Sequence, residues 1–259
     1  RDRAASQQVA TYGIVIPCLL ALMVFWSAVL AAPEGELPIE STLIDRWFSL
    51  GDSNFSVALY IDPVGAVMLF ALALTCLMLL TYSKGMVQNE SNASSFFAIF
   101  SLLTASAFGL LIFDNLLIFF ALWEIIDVCA YLLIGLRREG ESAHEASLKA
   151  FMTTKVSDLA FLLGLALLYA TTRSLTYSEI FSPGALEPPL AKLTALLLFG
   201  GVVGKSAQFP LHVWLIGANE APTPAAALIH TVMTSAGVFL LVRAFPLFEA
   251  AAQSLLIAD

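Results

Sequence analysis

Ionisable residues stand inside long apolar stretches of this chain, among them Glu124, Lys155, Asp158, Lys205 and His230. A charged group at the centre of a bilayer costs at least about 2.5–3.5 kcal/mol, so such residues usually face a bundle interior and mark ion or proton routes. Each of these residue types can bind and release a proton when its surroundings shift its pKa. We therefore expect a proton or cation pathway through these five positions.

Glu124 lies mid-run, about ten residues from either end of its apolar stretch. A carboxylate there is driven toward its neutral form unless a cation or water accompanies it, which suits a proton relay. Asp127 follows three residues later and shares a helical face with Glu124, and two nearby carboxylates tend to share one proton. A structural hydrogen bond to a neighbouring helix is the alternative for both.

Lys205 follows the small and apolar run Gly200-Gly201-Val202-Val203-Gly204 and precedes Pro210. Because proline removes a backbone donor, this spacing predicts a helix break beside a buried lysine. Interrupted helices of this kind place ion sites at mid-depth in membrane transporters. The alternative is a lysine whose ammonium group reaches the membrane interface.

His230 follows a Pro222-Thr223-Pro224 break, and its intrinsic pKa suits proton exchange, although a helix–helix hydrogen bond is the competing account. Lys155 and Asp158 stand at positions i and i+3 of one apolar run and can pair with each other. Taken alone, that pair is equally consistent with a structural or a functional role.

The composition indicates which elements must hold these residues. The chain is 59% hydrophobic and 12% charged, whereas a soluble domain carries roughly 25% charged residues. Apolar runs of about twenty residues match the thickness of a bilayer. We therefore predict an all-α fold, a polytopic bundle of about seven transmembrane helices, one of them broken, at 11–31, 64–82, 96–113, 115–136, 149–170, 191–209 and 223–242.

Two connections between the runs are distinctive. Residues 33–63 form an acidic stretch that is too polar to span a bilayer, and we expect an extramembrane hairpin or a short amphipathic piece there. Only Asp114 and Asn115 interrupt the third and fourth runs, which predicts a tight turn at the membrane surface.

Other site classes are excluded by charge and spacing. A net charge of −8 without clustered Lys or Arg argues against nucleic acid. Three isolated cysteines in separate apolar runs argue against disulfides or iron–sulfur clusters and are interpreted as core residues. Gly204-Lys205-Ser206 lacks the earlier glycine of a phosphate-binding loop, and His144-Glu145 lacks the second histidine of a zinc-protease helix. No metal or cofactor site is predicted.

The chain carries several motifs in a fixed order: Trp123-Glu124, Cys129-Ala130-Tyr131-Leu132-Leu133-Ile134-Gly135, Lys149-Ala150-Phe151, Asp158, Gly204-Lys205-Ser206-Ala207-Gln208-Phe209-Pro210-Leu211, Ala221-Pro222-Thr223-Pro224 and Ala227-Leu228-Ile229-His230. Together these motifs resemble one family, the antiporter-like subunit L (NuoL/NdhF) of respiratory complex I. The similarity runs from about Gly51 to Glu249.

The resemblance implies that the chain corresponds to the N-terminal half of a longer subunit. Residues 1–95 would hold N-terminal spans and the acidic loop, 96–243 a five-helix antiporter-like repeat, and 244–259 the truncated start of a further helix. It implies proton transfer through Glu124, Lys205, His230 and the pair Lys155 and Asp158, with Lys205 and Glu124 pairing and separating during the cycle.

This chain also departs from the family pattern. Asp127 stands where the family usually has a small residue, and Ile216-Gly217 where it has a Pro-Asp pair. The segment after His230 looks one residue shorter. Lys155 replaces a more usual arginine, which keeps the charge but loses the planar fork.

The resemblance implies a proton-translocating membrane-arm subunit of an NADH:quinone oxidoreductase, in a bacterial plasma membrane or an organellar energy-converting membrane. Its partners would be other membrane-arm subunits, lipid and protons, or sodium ions. NADH, quinone, flavin and iron–sulfur clusters are expected in partner subunits, with no redox chemistry in this chain. Two alternatives stay open: a subunit of a multisubunit cation/proton antiporter or membrane-bound hydrogenase, and a non-conducting structural membrane subunit.

Overall fold

A computed structural model describes residues 3–30, 39–50, 53–87, 90–136, 141–182 and 184–256. Helices dominate these residues. They are α1 (Arg3–Phe25, continued by a π-helical turn at Trp26–Leu30), α2 (Pro63–Val87), α3 (Ala93–Ile112), α4 (Leu116–Ile134), α5 (Glu141–Thr172), α6 (Tyr177–Ile180), α7 (Pro188–Lys205), α8 (Val213–Gly217, continued by a 3₁₀ turn at Ala218–Glu220), α9 (Thr223–Arg243) and α10 (Phe245–Leu256).

The predicted helical membrane fold is confirmed. Among the described residues, six helices are long and apolar enough to cross a membrane: α1 with its π-helical turn, α2, α3, α4, α5 and α9. The remaining predicted span, 191–209, corresponds to α7, which ends earlier, at Lys205. Helix α5 begins at Glu141, well before the predicted residue 149. The division of the chain at residues 95 and 243 stays a prediction, although α10 does form within the last segment.

The acidic stretch between the first two spans contains a β-hairpin, which adds the only strands of the described residues to the predicted all-α fold. Strand β1 (Ile39–Leu50) pairs antiparallel with β2 (Ser53–Ile61), and Ile39 faces Ile61 at the open end. Large apolar residues alternate with other residues along β2, at Phe55, Val57, Leu59 and Ile61, and this period of two favours a strand. Phe55 turns toward the helices and packs against Tyr169 of α5, with ring centroids 5.7 Å apart.

The tight turn between α3 and α4 is held from both sides. Leu59 of β2 bridges to Phe113, and Asn115 bridges to Thr176, which precedes α6. The Asn115 side chain accepts a hydrogen bond from Leu117 N at 2.8 Å and so caps the first turn of α4. The hairpin, this turn and α6 therefore meet at one end of the bundle, which we call the hairpin end.

Small residues let α5 and α7 approach closely. A Cβ at Gly204 would lie 1.9 Å from Ser157 Oγ, and one at Gly201 would lie 2.9 Å from Phe161 Cβ. Glycines at such positions are typical of membrane helix interfaces, where backbones pack directly. This contact carries the end of α7 onto the face of α5 that holds Lys155 and Asp158.

Helix α7 breaks at the residue that the sequence singled out. It ends at Lys205, and helical structure resumes only at Val213. Ala207 adopts the left-handed conformation, with φ of 51°, which ends a right-handed helix. Trp214 Nε1 donates to Gly204 O at 2.8 Å, a carbonyl in the last turn of α7 that also accepts from Ala207 N at 3.3 Å. The break thus starts five residues before Pro210, the residue from which it was predicted.

Aromatic rings fill the centre of the bundle around α4. Phe119, Trp123, Phe161 and Phe239 are buried and contact one another edge-on or stacked. The three cysteines are buried and free, as expected of core residues.

Candidate proton-transfer site

Five charged side chains from three helices meet inside the bundle. Glu124 and Asp127 come from α4, Lys155 and Asp158 from α5, and Lys205 from the end of α7. We call this group the charge cluster. Each carboxylate pair or acid–base pair within one helix is spaced i and i+3, so both members lie on the same helical face. The close α5–α7 contact then brings Lys205 to the other four.

Lys205 and Asp127 form the buried core of the cluster. The Lys205 ammonium group bonds to the Asp127 carboxylate and donates to Trp123 O at 3.1 Å. It also lies 4.6 Å from the centroid of the Trp123 indole, a favourable cation–π position. The side chains of Lys205 and Asp127 are 0% and 1% exposed. The Lys205 ammonium group is therefore enclosed within the bundle and does not extend to its surface.

This pairing differs from the one that the resemblance implied. Lys205 was expected to pair with Glu124, but Glu124 bonds to Lys155 and Asp127 takes its place beside Lys205. Asp127 lies one helical turn further along the same face of α4, next to the end of α7. The residue noted as a departure from the family pattern is therefore the acidic partner of the broken-helix lysine.

Lys155 links the remaining acids. Its ammonium group lies 2.7 Å from Asp158 Oδ2 and 3.0 Å from Asp127 Oδ2, and it also contacts the Glu124 carboxylate. The i and i+3 pairing of Lys155 with Asp158 is thus present, within a larger network. Asp127 touches both lysines and is the shared anion of the cluster.

Two further contacts complete the network. Trp123 Nε1 donates to Asp158 Oδ1 at 2.6 Å, so the indole touches both Asp158 and Lys205. The carboxyl groups of Asp127 and Asp158 also lie within hydrogen-bonding reach of each other. Two carboxyl groups so placed tend to share one proton.

The charges of the cluster do not balance. Three carboxylates and two ammonium groups leave one net negative charge when all five are ionised, so the binding of one proton makes the cluster neutral. Interacting groups of this kind titrate together rather than one by one. The arrangement can therefore hold or release a single proton with small movements of its lysines.

Exposure changes along the cluster. Lys205 and Asp127 are fully buried and Asp158 is 3% exposed, whereas Lys155 and Glu124 are 26% and 32% exposed. The Glu124 and Lys155 pair thus lies on an outer face of the described bundle, and the Lys205 and Asp127 pair lies inside it. The cluster runs from that face to the break after α7.

His230 lies apart from these contacts. Its Nε2 lies 3.3 Å from Asn219 Oδ1, and its ring stacks on that of Trp214 with centroids 6.3 Å apart. Its Nδ1 is buried without a hydrogen-bond partner. Since Trp214 also donates to Gly204 O, His230 is joined to the Lys205 break through one aromatic side chain.

The five positions predicted from the sequence do not include Asp127, and the sequence did not identify Trp123, Trp214 or Asn219 as members of the site. The i and i+3 spacing from Glu124 was the signal for Asp127. Trp123 was quoted only as a motif neighbour, and no spacing rule predicts which indole will contact a charge. Among the described residues, no group of three or more His, Cys, Asp or Glu side chains is placed to hold a metal ion.

Residues 114–258 match the family described as NADH:quinone oxidoreductase/Mrp antiporter, TM. Similar curated proteins include NAD(P)H-quinone oxidoreductase subunit 5 of the Paulinella chromatophora chromatophore, 37% identical over 96% of this chain and 37% of the relative. Chain 5 of the Synechocystis enzyme is 38% identical over 91% of this chain and 36% of the relative. NADH-quinone oxidoreductase subunit L of Neisseria meningitidis is 35% identical over 98% and 39%. The chain therefore spans well under half the length of these relatives.

Two solved structures have folds similar to that of this chain. The Mrp complex from Dietzia contains a chain that is 25% identical, with a TM-score of 0.80 over 96% of this chain and 26% of that one. The archaeal membrane-bound sulfane sulfur reductase shares the fold, with a TM-score of 0.78 at 21% identity. With the membrane-spanning helices and this family match together, the chain is a multi-pass membrane protein and belongs to the NADH:quinone oxidoreductase/Mrp antiporter transmembrane family.

Proposed function

We propose that this chain forms part of a proton-translocating membrane-arm subunit of an NADH:quinone oxidoreductase, and that the charge cluster carries the proton. The observation that supports this most directly is Asp127 shared between Lys155 and Lys205 in a group with one excess negative charge. A cluster one proton short of neutrality, buried among apolar helices, is suited to taking up and passing on a single proton.

The order of contacts suggests how the proton moves. A proton arriving at Glu124 neutralises that carboxylate and frees Lys155 to pair more closely with Asp127 and Asp158. Stronger pairing of Asp127 with Lys155 weakens its hold on Lys205, because unlike charges interact strongly in a low-dielectric interior. Lys205 can then release a proton toward the helix break, where His230 stands beyond Trp214.

The relatives supply the class of partner for this proposal. Their names place them in NAD(P)H- or NADH-quinone oxidoreductases. Partner subunits would bind NADH, quinone, flavin and iron–sulfur clusters. Other membrane-arm subunits would cover the face of the bundle that carries Glu124 and Lys155. The membrane would be a bacterial plasma membrane or an organellar energy-converting membrane.

NADH-driven acidification of inverted native vesicles tests the proposal. Lys205→Ala should abolish most quinone-dependent acidification, because Asp127 then lacks its buried partner and the last proton carrier is gone. Lys149→Ala on α5, an exposed lysine six residues before Lys155, is the matched control and should behave as wild type. Assembly of the complex is checked by its migration in a native gel.

Normal acidification by an assembled Lys205→Ala complex would contradict the proposed role and favour a non-conducting structural subunit. A second candidate, a cation/proton antiporter subunit, is favoured by the fold similarity to the Mrp complex. If NADH drives no acidification but a sodium gradient moves protons in a Lys205-dependent way, the antiporter function replaces the first.

A further inference from the structure

A second buried polar group lies at the hairpin end of the bundle, away from the charge cluster. It consists of Tyr60 and Asp62 at the end of β2 and the start of α2, Asp114 in the α3–α4 turn, Tyr177 in α6 and Arg243 at the end of α9. We call it the hairpin-end cluster. Four separate parts of the chain therefore supply polar side chains to a small volume beside the start of α4.

Arg243 is the centre of this cluster. Its side chain is 6% exposed, and Nη1 donates to Asp62 Oδ2 at 3.1 Å. Its guanidinium carbon lies 4.7 Å from the Tyr60 ring centroid, 5.2 Å from that of Tyr177 and 4.8 Å from that of Phe239. Three aromatic faces thus enclose a permanently charged group that has one acidic partner at bonding distance.

Several donors in the cluster lack a partner. Arg243 Nε and Nη2 and Tyr177 Oη are buried and make no hydrogen bond to the residues that the structure describes. Leaving a buried donor unpaired is destabilising, and more so for a charged group. Buried sites with several such groups in reach of one another are where proteins hold ordered water. The cluster is therefore built to bind water between the guanidinium and its acidic neighbours.

Asp114 is a titratable group of the same cluster. It is 9% exposed, and Oδ1 accepts a hydrogen bond from Tyr177 N at 3.2 Å. The charged groups that act on Asp114 are Arg243 of α9, Glu40 of β1 and Glu179 of α6. Asp62 forms an ion pair with Arg243. Burial raises the pKa of the Asp114 carboxyl to about 6, although Tyr177 N and Arg243 act in the opposite direction.

The position of Asp114 relates it to the charge cluster. Asp114 precedes α4 by two residues, and Glu124 lies on that helix about 15 Å further along, at 1.5 Å per residue. His230 lies about 20 Å from Arg243 along α9 by the same measure, nearer the opposite end. The hairpin-end cluster therefore lies at one end of the helix that carries Glu124 and Asp127, and His230 lies toward the other.

We propose that Asp114 exchanges protons at the hairpin end of the pathway. The exchange runs through water that Arg243 and Tyr177 hold. In each passage the Asp114 carboxylate takes a proton from one side, becomes a carboxylic acid, and returns the proton to water on the other side. Arg243 keeps its charge throughout and orients the water. This inference rests on the proposed function, because it assigns an end to the same pathway.

The test uses the assembled complex in native vesicles. Asp114→Asn should lower NADH-driven acidification by about a hundredfold, the lower end of the range for proton transfer by a positioned side chain, and should remove the dependence on pH near 6. Asp114→Glu should restore part of the rate, since it keeps an ionisable carboxyl. Glu187→Gln, an exposed acid at the start of α7, is the matched control and should keep the wild-type profile.

A wild-type rate and pH profile in Asp114→Asn, with Lys205→Ala inactive in the same assay, would overturn this inference and leave the proposed function standing. Normal acidification in both variants would remove the proposed function instead. If Asp114→Asn does not assemble, Arg243→Lys decides the matter, because it keeps the charge but loses the fork of donors. An unchanged pH profile in Arg243→Lys would also overturn the inference.

Discussion

The two ion pairs of the charge cluster differ more in burial than in chemistry. Lys205 and Asp127 are enclosed by Trp123 and the ends of α4 and α7, at 0% and 1% exposure, whereas Lys155 and Glu124 are about one quarter to one third exposed. Removing one partner of a buried pair leaves an uncompensated charge in a low-dielectric interior. Removing one partner of a half-exposed pair leaves a charge that water or a neighbouring group can screen.

This difference assigns separate tasks to the two pairs. In the proposed pathway, opening of the inner pair, Lys205 and Asp127, is the step that needs the help of another charge, because this pair is buried. The outer pair, Lys155 and Glu124, is partly exposed and would be the place where a proton first arrives. Asp127, which both lysines contact, transmits the change from one to the other.

The largest expected effect comes from breaking the inner pair. Its size is compared with the effect of breaking the outer pair. Asp127→Ala should lower the free energy of unfolding by about 3–5 kcal/mol, because Lys205 is left buried without an anion. Glu124→Ala should lower it by about 1 kcal/mol or less, because Lys155 retains Asp158 and Asp127. Thermal unfolding of the purified complex in detergent measures both. Equal losses would contradict the division into inner and outer pairs.

A smaller effect is expected from moving the inner pair without changing a charge. Gly204→Ala places a Cβ 1.9 Å from Ser157 Oγ and 2.2 Å from Ser157 Cβ, so α7 must move away from α5. Overpacking of this kind costs about 1–3 kcal/mol, and proton translocation should fall because Lys205 moves from Asp127.

Two further variants control the Gly204→Ala experiment. Gly13→Ala on α1, where a new Cβ meets nothing within 4 Å, should leave both stability and translocation unchanged. Ser157→Gly combined with Gly204→Ala should regain part of the loss, since it removes the obstructing side chain. Stability and translocation are measured as above, and failure of the double variant to recover would argue that Gly204 matters for another reason.

The smallest effect concerns the hairpin end and depends on pH. The pKa of Asp114 is about 6, above the ordinary value of 3.8, so the folded chain binds this proton more tightly than the unfolded chain. The resulting stabilisation is fully present below about pH 4 and is lost as pH rises through about 6. Asp114→Asn should flatten this part of the curve of melting temperature against pH. An unchanged curve would mean that Asp114 titrates alike in both states.

Much of the fold was predictable because membrane burial leaves a strong pattern in a sequence. Long apolar runs predicted the positions of the spanning helices to within a few residues at most ends. Pro210 indicated a break near Lys205, although the break begins at Lys205 itself. The β-hairpin was harder, because an acidic stretch without a long apolar run is compatible with either a hairpin or an amphipathic segment. Pairing with Phe113 and packing on Tyr169 select the hairpin.

The sequence by itself determined that Glu124, Lys155, Asp158, Lys205 and His230 would lie on membrane helices, because an apolar run of that length has no other stable place. Only the tertiary structure decided which of them meet. Helical spacing shows which residues share one face of a helix, but it does not show which other helix packs against that face. The approach of Gly204 to Ser157 and the end of α7 at Lys205 select Asp127 as its partner rather than Glu124. The sequence did not indicate that Arg243 is buried. That followed only from the tertiary structure, in which the start of α2, α6 and the end of α9 pack together.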